Sequence, residues 1–394
     1  MDRRSFLRAT LCTPALAAVD VSFGVIARPA WAAAATHADY RKALVLVELK
    51  GGNDGLNTLV PYADAAYYAL RPKIAIARDQ AVQLSDRAGL HPALAPLLPL
   101  WTDGQLAVLQ GVGYPAPNLS HFRSIEIWDT ASRSDVVLQT GWLTRVFTGM
   151  PVAASFAADG VVIGSSDLGP LAGGGTRAIA LTDTDQFLRR ARLAQPGRAL
   201  ANPALAHIMK VEADVVQAAS HLSAHKTFAT AFADNGFGRA IRTACQILAN
   251  PAGVAVVRVT LAGFDTHANQ PGTQARLLGE LAQGLVALRG ALLELGRWND
   301  TLVLTYAEFG RRPKQNVNNG TDHGTASVHF ALGGRVRGGL YGAAPDLAAL
   351  AAGGNPAYAL DFRNVYATAL DTFWGVDSRD ALGGRFAPEP FMKG

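Results

Sequence analysis

Cysteine is nearly absent from this chain, since of 394 residues only Cys12 and Cys245 carry a thiol. That scarcity excludes an internal disulfide framework and a cysteine-based zinc site, so any metal ion has to be held by carboxylates and imidazoles. Charge of one sign is also scarce. The formal net charge is +5, and no Lys/Arg tract interleaves with aromatic residues, so no nucleic-acid partner is expected. A G-x-S-x-G elbow is missing as well, which removes the usual strand-turn-helix signature of a serine acyl hydrolase.

What is present begins at the N-terminus. Asp2-Arg3-Arg4-Ser5-Phe6-Leu7-Arg8 has the form of a twin-arginine n-region, followed by an apolar stretch from Ala9 to Ala27 and a small-residue cleavage site at Ala30-Trp31-Ala32. Residues 1–32 are therefore expected to be a signal peptide read by the twin-arginine export machinery, with a periplasmic or secreted mature protein. A retained membrane anchor is the alternative, against which Pro14, Asp20 and Gly24 interrupt the apolar stretch. Removing the segment takes four arginines and two aspartates with it and leaves a net charge of +3.

The remainder, 33–394, suits one large α/β domain. The runs Ala43 to Leu49, Leu106 to Gln110, Val254 to Leu261, Thr301 to Tyr306 and Val328 to Leu332 are almost wholly apolar, as expected of strands covered on both faces of a mostly parallel central sheet. From Thr273 to Leu295 leucines recur at spacings of three and four, which predicts a helix packed on that sheet and ended by Gly296. Residues from about 150 to 250 carry few strand signals, and Asn202 to Phe232 reads as helical, so a helical insertion is expected there. His221 and His225 lie one turn apart in it but lack an acidic partner, which favours surface or packing histidines over ligands.

Four short loops next to the strand-like runs carry the chemistry. In an open parallel sheet, loops at the carboxyl ends of strands converge on one crevice. Gly51-Gly52-Asn53-Asp54-Gly55 offers the Asp54 carboxylate and the Asn53 amide, although Asn-Asp-Gly is also an ordinary turn. Asp265 and His267, at i and i+2 in an extended loop, point to the same side and suit one divalent ion, fitting zinc, manganese or iron better than calcium. Glu308 is followed by Arg311 and Arg312, so it could ligate metal beside a cation for a bound oxyanion or form a plain ion pair. Asp322-His323-Gly324 is the most site-like tripeptide, while His329, among Val328, Phe330 and Leu332, reads more as a core residue than as a ligand. Ser120, at the start of a helix in Asn118-Leu119-Ser120-His121-Phe122-Arg123, is either a helix cap or a nucleophile with Arg123 clamping an oxyanion. Gly111-Val112-Gly113 faintly echoes a dinucleotide fingerprint, with Pro115 inside the motif.

As an ordered set, LVELKGGNDGLNTLVPY, LHPALAPL, NLSHFRS, GFDTHANQ, YAEFGRR and GTDHG resemble the Domain of Unknown Function 1501 family, which is similar to the alkaline phosphatase and sulfatase superfamily. The resemblance covers nearly the whole mature chain. It implies an alkaline-phosphatase-like α/β/α sandwich, with Asp54 as the first-strand metal aspartate, Ser120 at the nucleophile position and Asp265 with His267 in one metal site. Two departures stand out: Asp265 and His267 are closer in sequence than is usual, and TLVLTYAEFG would place Glu308 at a strand-end aspartate with Phe309 where a histidine is normal. Asp322-His323 could then supply the later histidine or be the displaced pair. The leading expectation is an exported hydrolase of phosphate or sulfate esters, with Ser120, Arg123 and Asn53 in catalysis. Asp54, Asp265, His267, Glu308, Asp322 and His323 would hold one or two divalent ions drawn from zinc, manganese, iron and calcium. Its rival is a catalytically degenerate exported protein that binds or assembles with a co-exported partner, and a Ser-His-acid acyl hydrolase ranks last.

Overall fold

The computed structural model describes residues 38–181, 226–351 and 353–393. The expected signal segment with Cys12, and the pair His221 and His225, lie outside the described residues. The strands used below are β1 (Ala43–Lys50), β2 (Leu106–Gly113), β3 (Ala158–Ile163), β4 (Ala178–Leu181), β5 (Val254–Ala262), β6 (Thr301–Tyr306), β7 (Gly310–Gln315), β8 (Thr321–Gly324), β9 (Ser327–Leu332), β10 (Gly339–Tyr341) and β11 (Leu360–Asp361). The helices are α1 (His121–Thr130), α2 (Trp142–Gly149), α3 (Gly236–Leu248), α4 (Gln270–Glu294) and α5 (Phe362–Ala367).

The main sheet runs β10-β2-β9-β6-β1-β5-β3-β4, with β11 added on β2. Strand β1 pairs in parallel with both β5 and β6, and β3 pairs in parallel with β5 and β4. Only β9 reverses direction in this sheet among the described residues, lying antiparallel between β2 and β6. The protein is thus α/β with a mixed, mostly parallel sheet. Every apolar run expected to be a strand is one.

Residues alternate faces along a strand, and here both faces are covered. Val45, Val47 and Leu49 of β1 enter a core with α3 and α4, while Leu44 and Leu46 enter a second core with α1, α2 and α5. Helix α4 buries the leucine stripe Leu277, Leu278, Leu281, Leu285, Leu288 and Leu292. Each such burial contributes about 1.5–3 kcal/mol, more than helix propensity supplies. The helix starts three residues earlier than its leucine pattern suggests, at Gln270, because Pro271 is tolerated in a first turn and Asn269 adopts φ +49 ahead of it. It ends at Glu294, and Gly296 turns the chain with φ +66.

One expectation fails. Residues 150–181 are not part of a helical insertion, because β3 and β4 extend the main sheet, and 226–232 are not helical, while the rest of the expected insertion, 182–225, lies outside the described residues. The short run Ala158-Asp159-Gly160-Val161-Val162-Ile163 hides its strand character behind Asp159 and Gly160. Asp159 is tolerated there because Arg177 binds its carboxylate at 2.6 and 2.9 Å. The glycine echo at Gly111-Val112-Gly113 lies inside β2 itself, so it forms no phosphate loop.

Candidate metal centre

Because β1, β2, β5 and β6 point the same way and β9 points back, the ends of the first four and the start of the fifth meet at one edge of the sheet. This edge gathers residues far apart in sequence. The turn after β1 rests directly on the next loops: a Cβ on Gly51 (φ +115) would lie 2.4 Å from the backbone nitrogen of Asp265, and one on Gly52 would lie 2.4 Å from the Phe309 ring. Glycine is required at both positions by close approach as much as by backbone angle.

Arg311, whose side chain is fully buried, ties these loops together. Its Nε donates to the Gly52 carbonyl at 2.7 Å, Nη1 to the Thr321 carbonyl at 2.9 Å, and Nη2 to the Phe264 carbonyl at 3.0 Å and to Asp265 Oδ1 at 2.7 Å. Nη2 also reaches the Gly51 carbonyl.

Around Asp265 stand three imidazoles. His267 Nε2 lies 3.0 Å and His323 Nε2 3.3 Å from Asp265 Oδ1, and the two Nε2 atoms face each other at 3.0 Å. His121 Nε2 lies 3.5 Å from Oδ2. The ligand atoms of His121, Asp265 and His323 fall within 4.8 Å of one another. His323 Nδ1 is 2.8 Å from the Leu119 carbonyl, which can only accept, so Nδ1 carries the proton and Nε2 presents a lone pair. Burial, the largest influence on His323, lowers its pKa from the ordinary histidine value and keeps the ring neutral. Burial works to raise the pKa of Asp265, but the hydrogen bond and charge of Arg311 outweigh it and hold the carboxylate below its usual range.

Glu308 is buried and holds the Gly51 N–H at 2.9 Å and His121 Nδ1 at 2.8 Å, both through Oε1. Its other oxygen, Oε2, is buried without a hydrogen-bond partner among the described residues. Beneath it, Ser124 Oγ donates to the Glu308 carbonyl and Tyr114 OH lies 2.8 Å from Ser124 Oγ. Phe309 packs its ring 4.8 Å from that of His121 and 4.3 Å from that of His323.

The structure therefore brings Asp265, His267, Glu308 and His323 together and sets Asp322 beside them. Asp322 Oδ1 lies 3.6 Å from His267 Nδ1 and accepts from Asn316 Nδ2 at 3.3 Å, and its side chain is half exposed. Asp54 is placed otherwise than its motif suggests. Its Oδ2 accepts from Arg71 Nη1 at 2.6 Å and from Gln270 at 2.5 Å, and its Oδ1 accepts from Arg71 Nη2 at 3.0 Å and from the Leu56 N–H at 3.2 Å. With both oxygens closed inside protein, this carboxylate serves the fold. Asn53 is turned inward too, donating to Thr58 Oγ1 at 2.8 Å. Arg123 is engaged by Glu126 at 2.8 Å and by the carbonyls of Ser134 and Val136 at 3.2 and 2.7 Å, so it braces a loop. Ser120 sits at the N-cap position just ahead of α1, is exposed, and makes no side-chain cap bond. His329 is a core residue packed on Trp128 at 5.3 Å.

Sequence reasoning missed His121. Its signal was its place directly after Ser120 in a segment already singled out, but an imidazole that starts a helix has no periodicity to mark it.

Residues 41–382 match the family described as "Protein of unknown function (DUF1501)". The chain belongs to that family. No curated protein matches it. Among solved structures it is similar to a protein in the alkaline phosphatase superfamily from Vibrio parahaemolyticus, at 12% identity over 89% of this chain and 70% of that one, with a TM-score of 0.43. It is also similar to the lipoteichoic acid synthase LtaP from Listeria monocytogenes (10% identity, 77% and 68%, TM-score 0.35). A third is the C-terminal periplasmic domain of EcEptC from Escherichia coli in complex with Zn (12% identity, 74% and 72%, TM-score 0.34). No helix among the described residues is long and apolar enough to cross a membrane.

Proposed function

We propose that this DUF1501 chain is an exported, metal-dependent hydrolase of phosphate or sulfate esters, working in the periplasm or outside the cell. The observation that carries the reading is the facing of His267 Nε2 and His323 Nε2 at 3.0 Å with Asp265 Oδ1 within 3.3 Å of both. Two imidazoles and a carboxylate so close are the donor set of a divalent transition metal, and the Leu119 carbonyl orients His323 as such sites require. Asp265, His267 and His323 would hold the ion, zinc, manganese or iron being better suited than calcium to this nitrogen-rich set. A bound ion supplies a Lewis acid and lowers the pKa of a coordinated hydroxyl.

The chain's own residues are arranged for the remaining work. Ser120 stands between Leu119 and His121, both of which touch the cluster, and its hydroxyl is exposed and unused by the helix cap. It is the nucleophile in this reading. The backbone N–H groups opening α1 place positive potential beside it for an anionic ester group. Asp54, Asn53 and Arg123 drop out of the catalytic set in this reading.

The test is elemental analysis of the protein purified without chelator, with Asp265→Ala and His323→Ala beside it, followed by a phosphate and sulfate ester panel. Metal present in the wild type and lost from both variants, with ester turnover sensitive to chelator, is the expected result. Absence of metal after reconstitution would overturn it. A second reading, a catalytically degenerate binding or assembly protein for a co-exported partner, is favoured by Phe309, an apolar ring set between two imidazoles, and by the sealing of Asp54 against Arg71.

A further inference from the structure

We infer that His121 is a ligand of this centre through Nε2, and that Glu308 serves as its hydrogen-bond acceptor rather than as a ligand; the inference rests on the metal reading above. Glu308 Oε1 already accepts the Gly51 N–H at 2.9 Å and lies 2.8 Å from His121 Nδ1, so it meets that nitrogen as an acceptor for Nδ1–H. The other ring nitrogen, Nε2, faces Asp265 Oδ2 at 3.5 Å, and the ligand atoms of His121, Asp265 and His323 lie within 4.8 Å of one another. The same carboxylate thus meets His267 and His323 through one oxygen and His121 through the other.

The surroundings fix His121 in this pose. Glu308 is anchored by the Gly51 N–H at 2.9 Å, so its oxygen is a fixed point for the imidazole. Phe309 packs at 4.8 Å on one side of the ring, and His323 meets it edge-on at 4.5 Å with an interplanar angle of 80°. A carboxylate oriented by backbone, holding the far nitrogen of an imidazole whose near nitrogen faces other donors, is how outer-layer groups position a metal-binding histidine. Phe309 therefore acts as a wall that holds the two neighbouring imidazoles, and the nitrogen ligand arrives on α1 instead.

The full chain, stripped of metal and titrated with cobalt(II), provides the test, because the visible ligand-field band reports the nitrogen ligands without reference to turnover. His121→Ala and His121→Phe, each with wild-type circular dichroism, are expected to weaken and shift the band and to lower cobalt affinity by at least about tenfold. Glu308→Gln retains an oxygen acceptor for Nδ1–H and is expected to keep the band, with affinity lowered by about tenfold. A wild-type chain that binds cobalt with a band unchanged in both His121 variants would overturn the inference and leave the metal reading standing. Loss of the band in Glu308→Gln with retention in the His121 variants would reverse the assigned roles and so also overturn it. A wild-type chain that takes up no cobalt would remove the metal reading itself, and the inference with it.

Discussion

Arg311 Nη2 lies 2.7 Å from Asp265 Oδ1, joining a fully buried guanidinium to a half-exposed carboxylate. The pair spans the floor and mouth of the crevice. Arg311 also holds carbonyls of Gly51, Gly52, Phe264 and Thr321, so one side chain sets the relative positions of three loops. Replacing it with methionine leaves those buried carbonyls unpaired and is expected to cost about 3 kcal/mol or more. Urea unfolding should show that loss together with loss of bound metal. Retention of metal at wild-type affinity would show that the loops hold their places without it.

Asp54 and Asp265 are expected to behave in opposite ways. Arg71→Ala leaves the Asp54 carboxylate buried without its charge partner and should cost about 3–5 kcal/mol, with metal content per folded molecule unchanged. Asp265→Asn should abolish metal binding with little loss of stability. Unfolding curves and elemental analysis on the same samples decide it, and metal loss in Arg71→Ala at full folding would return Asp54 to the ligand set.

Two buried groups give stability opposite dependences on pH. Burial lowers the His329 pKa from 6.5 to about 3, so the unfolded chain binds a proton the folded one refuses, and stability falls as pH drops from 6.5 towards 3. Burial raises the Asp129 pKa from 3.8 to about 8, overcoming the opposing charge of Arg258, so the folded chain holds a proton that the unfolded one releases. Stability from that group is complete below 3.8 and is lost as pH rises to about 8. Each limb has a slope of at most about 1.4 kcal/mol per pH unit. His329→Phe should flatten the acid limb and Asp129→Asn the alkaline one in urea midpoints measured from pH 4 to 9, and unchanged limbs would refute the assignment.

Arg123→Ala should loosen the segment from Arg133 to Val137 while sparing the metal. The guanidinium donates to carbonyls of Ser134 and Val136 and leaves no bond to the cluster. Faster proteolytic cleavage in that segment at constant metal content is the expected outcome. Weaker phosphate binding with an unchanged cleavage rate would instead restore the oxyanion-clamp role.

Ser120→Ala should remove ester turnover and leave metal content and thermal stability as they are, since the side chain makes no cap bond. A measurable fall in melting temperature would mark Ser120 as a helix cap after all.

The long elements were legible because burial on both faces demands unbroken apolar runs, and the leucine stripe of α4 is a one-dimensional record of the surface it covers. Strands β3 and β4 were not, since a short edge region can carry Asp159 when a distant Arg177 answers it, and that partner is invisible in a local window. The same limit governed the site. Asp265, His267 and His323, which Asp-Thr-His and Asp-His-Gly single out, do come together, whereas Asp54, singled out equally well, is consumed by Arg71 and Gln270. Motif residues identify chemistry that is available; which partner claims it is decided by tertiary contacts. His121 shows the converse, a residue without a motif that the end of β2 carries into the cluster.

Strand β9 returns antiparallel beside β6, so the chain from Ala307 to Ala326 leaves and re-enters the sheet at the same edge. A parallel return would have needed a crossover helix on the sheet's flank. Instead, Glu308, Phe309, Arg311, Asp322 and His323 sit on one contiguous segment whose strands β7 and β8 pair with each other in a separate two-stranded sheet. Arg311 bonds it to Gly51, Gly52, Phe264 and Asp265, and Arg71 holds its carbonyls at Arg312 and Pro313, so it is fastened over the strand ends. The mouth of the crevice is thus built by laying a hairpin above the strand ends, with no strand added to the sheet itself.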